Sequence, residues 1–289
     1  MHLVARSLRP QQWTKNLLVF AGIGFSGRLL DREAWPPAVA AFLIFCGLSG
    51  AVYLINDVLD RTADAQHPIK RLRPVASGAL PPAAAIAAAA VLGAACLAAA
   101  AAVNRGLALT AAAYVALLLA YSAALKHYVI IDVLTLAGGF VLRAVAGAVA
   151  IGVPISHWLL VCTTLLALFL GLSKRRHELT LLADGAAGHR PILQEYSPYL
   201  LDQMIAVVTA STLIAYSVYT ISSETAERLG SDRLGLTIPF VLYGIFRYLY
   251  LVHQRRGGGS PSDMLLTDRP LLVCVALWVA TVVLVIYVI

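Results

Sequence analysis

Long apolar stretches separated by short polar ones run the length of this chain. At about 20 residues per bilayer crossing, the apolar segments near 17–30, 37–59, 83–103, 107–124, 132–152, 157–173, 202–222, 235–252 and 270–289 predict nine membrane-spanning helices. The first is short and is interrupted by Gly22, Gly24 and Gly27. Arg6, Arg9 and Lys15 precede it as they would in a signal peptide, but no small-residue cleavage site follows, so it reads as a retained anchor. No polar stretch is long enough to build a second domain, which leaves residues 1–289 as a single all-α, polytopic bundle. Pro82 to Val103 is nearly pure alanine, which fits either a small-residue helix interface or an inexpensive lipid-facing surface. Gly257-Gly258-Gly259-Ser260-Pro261 reads as a flexible loop.

Composition agrees with the pattern. Hydrophobic residues make up 60% of the chain and charged residues only 13%, with a mean hydropathy of +0.80, where a soluble domain carries roughly 25% charge. With the N-terminus in the cytoplasm, fifteen basic residues fall on the inner side. Arg28, Arg32, Arg105, Arg228 and Arg233 fall outside, and Arg143 and Arg247 lie within spans. That bias predicts a multi-pass protein of the inner, plasma membrane with its polar face toward the cytoplasm. The net charge of +7 therefore reads as topology and attraction to the lipid bilayer's anionic headgroups, with no nucleic-acid partner. Cys46, Cys96, Cys162 and Cys274 all lie in apolar spans without metal-ligand spacing and are expected to be unbridged.

The densest chemistry lies where the second span gives way to charge, at Asn56-Asp57-Val58-Leu59-Asp60-Arg61-Thr62-Ala63-Asp64. If the helix continues, Asp57, Asp60 and Asp64 project from one face. Hard carboxylate oxygens at this spacing suit Mg²⁺, which is usually shared with a substrate phosphate. His67, Lys70, Arg71 and Arg73 follow. A second cluster, Ser173-Lys174-Arg175-Arg176-His177-Glu178, ends the sixth span and is chemically suited to phosphate, because arginine forks match its oxygens. The segments 56–73 and 174–190 each deliver charge and then a His and a Pro to the same side, an internal echo between two halves. Tyr121, Ser122, Lys126 and His127 lie between them. Asp132 and Arg143 are eleven residues apart on one helical face, about 16 Å along the axis. Arg143 near mid-span should hold either an anion or a carboxylate. At the entry to the first span, Trp13 fits an interfacial anchor, and Lys15 with Asn16 could meet a lipid phosphate.

Asn56-Asp57-x-x-Asp60-x-x-x-Asp64 on the second of nine helices resembles the first aspartate motif of the UbiA superfamily of intramembrane prenyltransferases, and the likeness covers essentially the whole chain. The segments at 9–22, 56–78, 125–151 and 174–179 are similar to one branch of it, the decaprenyl-phosphate phosphoribosyltransferases. That resemblance implies Mg²⁺-dependent transfer of phosphoribose from phosphoribosyl diphosphate to a polyprenyl phosphate, feeding cell-wall arabinan. It implies Asp57, Asp60 and Asp64 as metal ligands and Asn56, Asp57 and Asp60 as catalytic. Lys70, Arg71, Arg73, Tyr121, Lys126, Lys174, Arg175 and Glu178 would serve the donor, and Lys15, Asn16 and Arg143 the acceptor. Where the wider superfamily carries a second aspartate-rich motif, this chain has Lys174, Arg175, Arg176 and Glu178. The alternatives are a prenyltransferase acting on prenyl diphosphate and an aromatic acceptor, or a transporter of an anionic metabolite. A homo-oligomer is left open.

Overall fold

The computed structural model describes residues 2–183, 191–255, 264–265 and 267–288. The glycine-rich stretch at 257–261 and the end of the 174–190 segment lie outside the described residues. Among those described, eight helices are long and apolar enough to cross a membrane. They are α1 (Trp35–Leu59), α2 (Pro82–Val103), α3 (Arg105–Ala123), α4 (Ile131–Ala150), α5 (His157–Ala183), α6 (Pro198–Ile221), α7 (Ile238–Gln254) and α8 (Arg269–Tyr287). All four cysteines are free thiols.

A ninth such helix is not found among the described residues, because the first apolar segment does not form a long α-helix. It is a 3-10 helix over Pro10–Phe20 followed by a single α turn, Ala21–Gly24. A 3-10 helix rises about 2.0 Å per residue and an α-helix about 1.5 Å, so these fifteen residues extend about 28 Å. That is close to the hydrocarbon thickness of roughly 30 Å. The stretched segment is held by α4 at very short range. A Cβ on Gly147 would fall 1.7 Å from the Val19 carbonyl oxygen, and one on Gly22 would fall 2.7 Å from the Ala148 nitrogen. Glycine at both positions is what lets the two backbones touch.

Two apolar cores organise the rest. Phe45 and Leu48 of α1, Leu107 and Tyr114 of α3, and Ala146 of α4 close around Val19. Phe169 and Leu172 of α5, Leu201 and Ile205 of α6, and Tyr248 of α7 form the second. The alanine-rich α2 uses one seam, Ala85, Ala89 and Ala100, for burial and leaves most of its surface outward. At that contact Gly47 of α1 leaves room for the Cys96 sulfur, which would lie 2.4 Å from an added Cβ. Because successive helices reverse direction, the ends of α1, α3 and α5 and the starts of α4 and α6 meet at one end of the bundle.

Candidate active site

Three carboxylates stand at the mouth of α1, and the local backbone sorts them. The helix stops at Leu59. Asp60 leaves helical dihedrals at φ −91°, ψ 8°, and a short helix, Arg61–Gln66, resumes the path. The expectation of one continuous carboxylate face is therefore corrected: the break separates Asp60 from the other two. Asp57 and Asp64, 2% and 3% exposed, converge on one nitrogen, Arg73 Nη1, at 3.2 and 2.5 Å. Arg9 also pairs with Asp57. Asp60 turns toward α3, accepting from Lys126 Nζ at 2.5 Å and from Asn56 Nδ2 at 3.0 Å. Lys70 Nζ lies 4.0 Å from Asp64. Two hard-oxygen donors aimed at a single cationic position fit a divalent ion such as Mg²⁺, which keeps waters and shares substrate phosphates. Among the described residues no three His, Cys, Asp or Glu side chains gather to cage a metal by themselves.

The second cluster is closed where the first is open. Arg175 donates from Nε to Asp132 at 2.8 Å, from Nη1 to Glu178 at 2.7 Å and from Nη2 to the Tyr121 hydroxyl at 3.4 Å. Its side chain is 3% exposed and that of Asp132 is 0%. The other Asp132 oxygen accepts from the Tyr196 hydroxyl at 2.8 Å, which itself accepts the Ile130 N–H at 2.7 Å. Ile130 is strained, at φ +68° and ψ −45°, the centre of a tight turn closed by Ile131 N–H to the Val129 carbonyl at 2.7 Å. A β-branched residue holds this conformation only where its surroundings enforce it. Burial first, with the Asp132 carboxylate beside it, pushes the Tyr196 phenol up to about 12, so it remains a donor. Lys174 is more exposed and stands 4.0 Å from Glu178, while Arg176 pairs with Asp202. Arg71 is exposed on the 3-10 turn Lys70–Leu72.

Asp132 and Arg143 do not act on a shared partner. Arg143 is 5% exposed and donates to Asn16 Oδ1 at 2.7 Å, the Tyr114 hydroxyl at 2.6 Å and the Gly139 carbonyl at 2.9 Å. Its guanidinium lies 4.8 Å from the Tyr114 ring centroid and 5.2 Å from that of Phe140. It has no carboxylate partner among the described residues, so neutral acceptors and aromatic faces hold a buried cation. Asn16 is itself buried and donates to Ser49 Oγ at 3.2 Å. Lys15 sits half-buried one residue earlier on the 3-10 segment. A separate groove of about 440 Å³ runs between α6 and α7, apolar except for Thr209, Asp202 and His253, and none of Asp57, Asp60 and Asp64 lines it.

Sequence reasoning places Asn56, Asp57, Asp60, Asp64, Lys70 and Arg73 in one constellation, and the structure brings them together and adds Lys126 from the separate 121–127 segment. Tyr121, Arg175 and Glu178 join in the second. Arg9 and Tyr196 are site residues that sequence reasoning misses. Arg9 reads as a topology charge, although it begins a motif segment; Tyr196 carries no local signal and is found only by packing.

This arrangement, a bundle of apolar helices with carboxylates facing cations at one mouth, is that of an intramembrane transferase, as the comparisons with known proteins show. A profile of the UbiA prenyltransferase family matches residues 17–267, and the chain belongs to that family. It is 35% identical to the decaprenyl-phosphate phosphoribosyltransferase of Mycobacterium tuberculosis, over 96% of this chain and 92% of that one. To the enzyme of the same name from Mycolicibacterium smegmatis it is 32% identical, over 96% and 90%. Its fold is that of a UbiA homolog from Archaeoglobus fulgidus bound to GPP and Mg²⁺, with a TM-score of 0.73, 21% identity, and coverage of 99% and 100%. The family resemblance read from the aspartate motif is thereby borne out.

Proposed function

We propose that this chain transfers 5-phosphoribose from phosphoribosyl diphosphate to a polyprenyl phosphate, releasing diphosphate and supplying lipid-linked pentose for cell-wall arabinan. The observation that carries this reading is the convergence of Asp57 and Asp64 on the Arg73 guanidinium, with Lys70 beside Asp64 and Lys126 on Asp60. The mycobacterial relatives' shared name supports the donor and acceptor classes.

Asp57 and Asp64, with Asp60 one turn away, would hold Mg²⁺ against the donor diphosphate. When bound, the ion neutralises the leaving group and eases cleavage of the anomeric C–O bond. Lys70, Arg71, Arg73 and Lys174 would take phosphate oxygens. Lys126 and Asn56 fix the Asp60 carboxylate. Arg175, its donors already engaged by Asp132, Glu178 and Tyr121, acts as a positioning residue that presents Glu178 and keeps the α3, α4 and α5 ends in register. The acceptor phosphate is anionic near pH 7, so no general base is required. Lys15 would meet the acceptor phosphate, with the buried Asn16–Arg143 pair positioning the segment that carries it, and holding both reactants by their phosphates supplies proximity. The site faces the cytoplasm from the plasma membrane, as the distribution of basic residues supports.

The test is a choice of donors. Purified protein with Mg²⁺ and polyprenyl phosphate should move radiolabel from phosphoribosyl diphosphate into the lipid phase. Product from prenyl diphosphate and an aromatic acceptor, with none from phosphoribosyl diphosphate, would return the chain to the general prenyltransferase reading.

A further inference from the structure

Arg9 occupies a position that its own backbone does not favour. It sits at φ +51°, ψ +65°, a left-handed conformation that residues with a Cβ rarely adopt, directly before Pro10. The turn is anchored on both sides: Arg9 N–H donates to the Arg6 carbonyl at 3.3 Å, and the Arg9 carbonyl accepts from Gln12 N–H at 2.8 Å. Before it, the short helix His2–Ser7 is docked on α1, where Val4 and Leu8 pack against the cluster of Ala51, Leu54 and Val75. Gly50 leaves room for this docking, since an added Cβ would lie 2.9 Å from Leu8 Cδ2.

The result of that turn is the Arg9 guanidinium, stacked 4.8 Å from the Tyr53 ring centroid and paired with Asp57. Tyr53 and Asp57 are i and i+4 on α1 and share its face. Arg9 takes the same Asp57 oxygen, Oδ1, that Arg73 approaches at 3.2 Å. The two partners differ in freedom: the Arg9 side chain is 25% exposed and that of Asp57 only 2%. Asp57 is fixed, and Arg9 reaches it from the solvent side.

Charge governs how a metal can enter. Asp57, Asp60 and Asp64 face four cations, Arg9, Lys70, Arg73 and Lys126. A divalent cation entering this cluster, where positive charge exceeds negative, meets a guanidinium already on Asp57, and one cation must give way. Arg73 is shared between two carboxylates, and Lys126 is directed to Asp60 on the other side of the helix break. Arg9, on a separately docked segment and held by an adaptable stacking contact, is the cation that moves.

We infer that Arg9 is a tethered substitute for the metal: it balances Asp57 while the site is empty, then yields that carboxylate and takes an oxygen of the incoming donor diphosphate. The inference rests on the metal–diphosphate reading of the α1 mouth. It assigns Arg9 two opposed effects, competition with metal alone and cooperation with the metal-bound donor.

The test uses the full-length protein in detergent and two variants. Arg9→Asn removes the cation but keeps a residue that tolerates the left-handed conformation; Arg9→Lys keeps the charge and loses the fork. Mn²⁺ alone, followed by the electron paramagnetic resonance of the free ion, should bind Arg9→Asn about fivefold more tightly than wild type, the scale of a part-exposed ion pair. Phosphoribosyl diphosphate with Mg²⁺, followed by calorimetry, should bind Arg9→Asn about tenfold or more weakly, as for a lost charged hydrogen bond. Arg9→Lys should fall between. Unchanged donor affinity in Arg9→Asn would overturn the inference, leaving a static ion pair. So would a parallel fall in both affinities and in the melting temperature, which marks a purely structural strap. A wild type that bound Mn²⁺ but no phosphoribosyl diphosphate would overturn the donor assignment, and the Mn²⁺ comparison alone would still decide whether Arg9 competes with metal.

Discussion

The two polar clusters at this end of the bundle are built from similar residues and behave as opposites. At the α1 mouth, buried carboxylates face cations that reach in from the connecting segments, with Arg9 and Arg73 about a quarter exposed. At the α5 mouth, Arg175 is sealed between Asp132 and Glu178, and Tyr196 and Tyr121 complete its shell. The first can exchange a protein cation for a metal and a phosphate at modest cost. The second cannot open without stranding a buried charge. Similar charges therefore serve chemistry in one place and register in the other, and burial of the cation is what separates them.

Several changes would break or sharpen this contrast. The largest effect should come from removing divalent metal: a chelator should abolish transfer while the protein stays folded, since Arg9 and Arg73 pair Asp57 and Asp64 without it. Persistent transfer, or coincident unfolding, would remove the distinction between the clusters. Next is Arg175→Met, which leaves Asp132 buried without its partner. It should cost about 3–5 kcal/mol of stability, read as a lowered melting temperature, with phosphate affinity of the surviving folded fraction largely kept. A stable Arg175→Met protein with specifically lost donor binding would move Arg175 into the phosphate cradle.

Lys126→Met should weaken donor turnover about tenfold to a hundredfold, in the range for a lost charged hydrogen bond, because Asp60 loses its fixed partner while the fold is kept. Activity equal to wild type would detach Asp60 from the site. The smallest effect belongs outside both clusters. Asp268 caps α8 by accepting the Leu271 N–H at 2.9 Å, and its pairing with Arg247 holds its carboxyl below the usual range. A depressed folded-state pKa contributes stability above the unfolded value near 4 and loses it as pH falls through the lower folded value. Asp268→Asn keeps a capping oxygen and loses the ion pair with Arg247, so it should cost about 1 kcal/mol or less near neutral pH, shrinking in acid, as chemical-denaturant titrations at neutral and acid pH would register.

Much of this is legible in the sequence because membrane physics writes in long strokes. Twenty-residue apolar runs mark the helices from Trp35 onward, and acidic residues at the end of an apolar run mark Asp57, Asp60 and Asp64. The failures are local. Hydropathy does not distinguish a 3-10 helix from an α-helix, so the Pro10–Gly24 segment reads as an ordinary span. Its conformation is set by the glycine contact with α4. Helical spacing alone puts Asp57, Asp60 and Asp64 on one face, and the dihedrals of Asp60 undo it. Spacing also cannot name the partners of Asp132, since Arg175 and Tyr196 lie 43 and 64 residues away along the chain. Arg9 is hidden because a basic residue before a span already has an explanation in topology.

The most direct measurement is single-turnover transfer by Asp57→Asn, with its melting temperature recorded beside it. Label from phosphoribosyl diphosphate is expected to stay out of the lipid phase, a loss of at least about a hundredfold as for a lost transition-state contact, while the melting temperature stays near that of wild type. Transfer at the wild-type rate with normal metal dependence would contradict the assignment of the α1 mouth as the site of reaction.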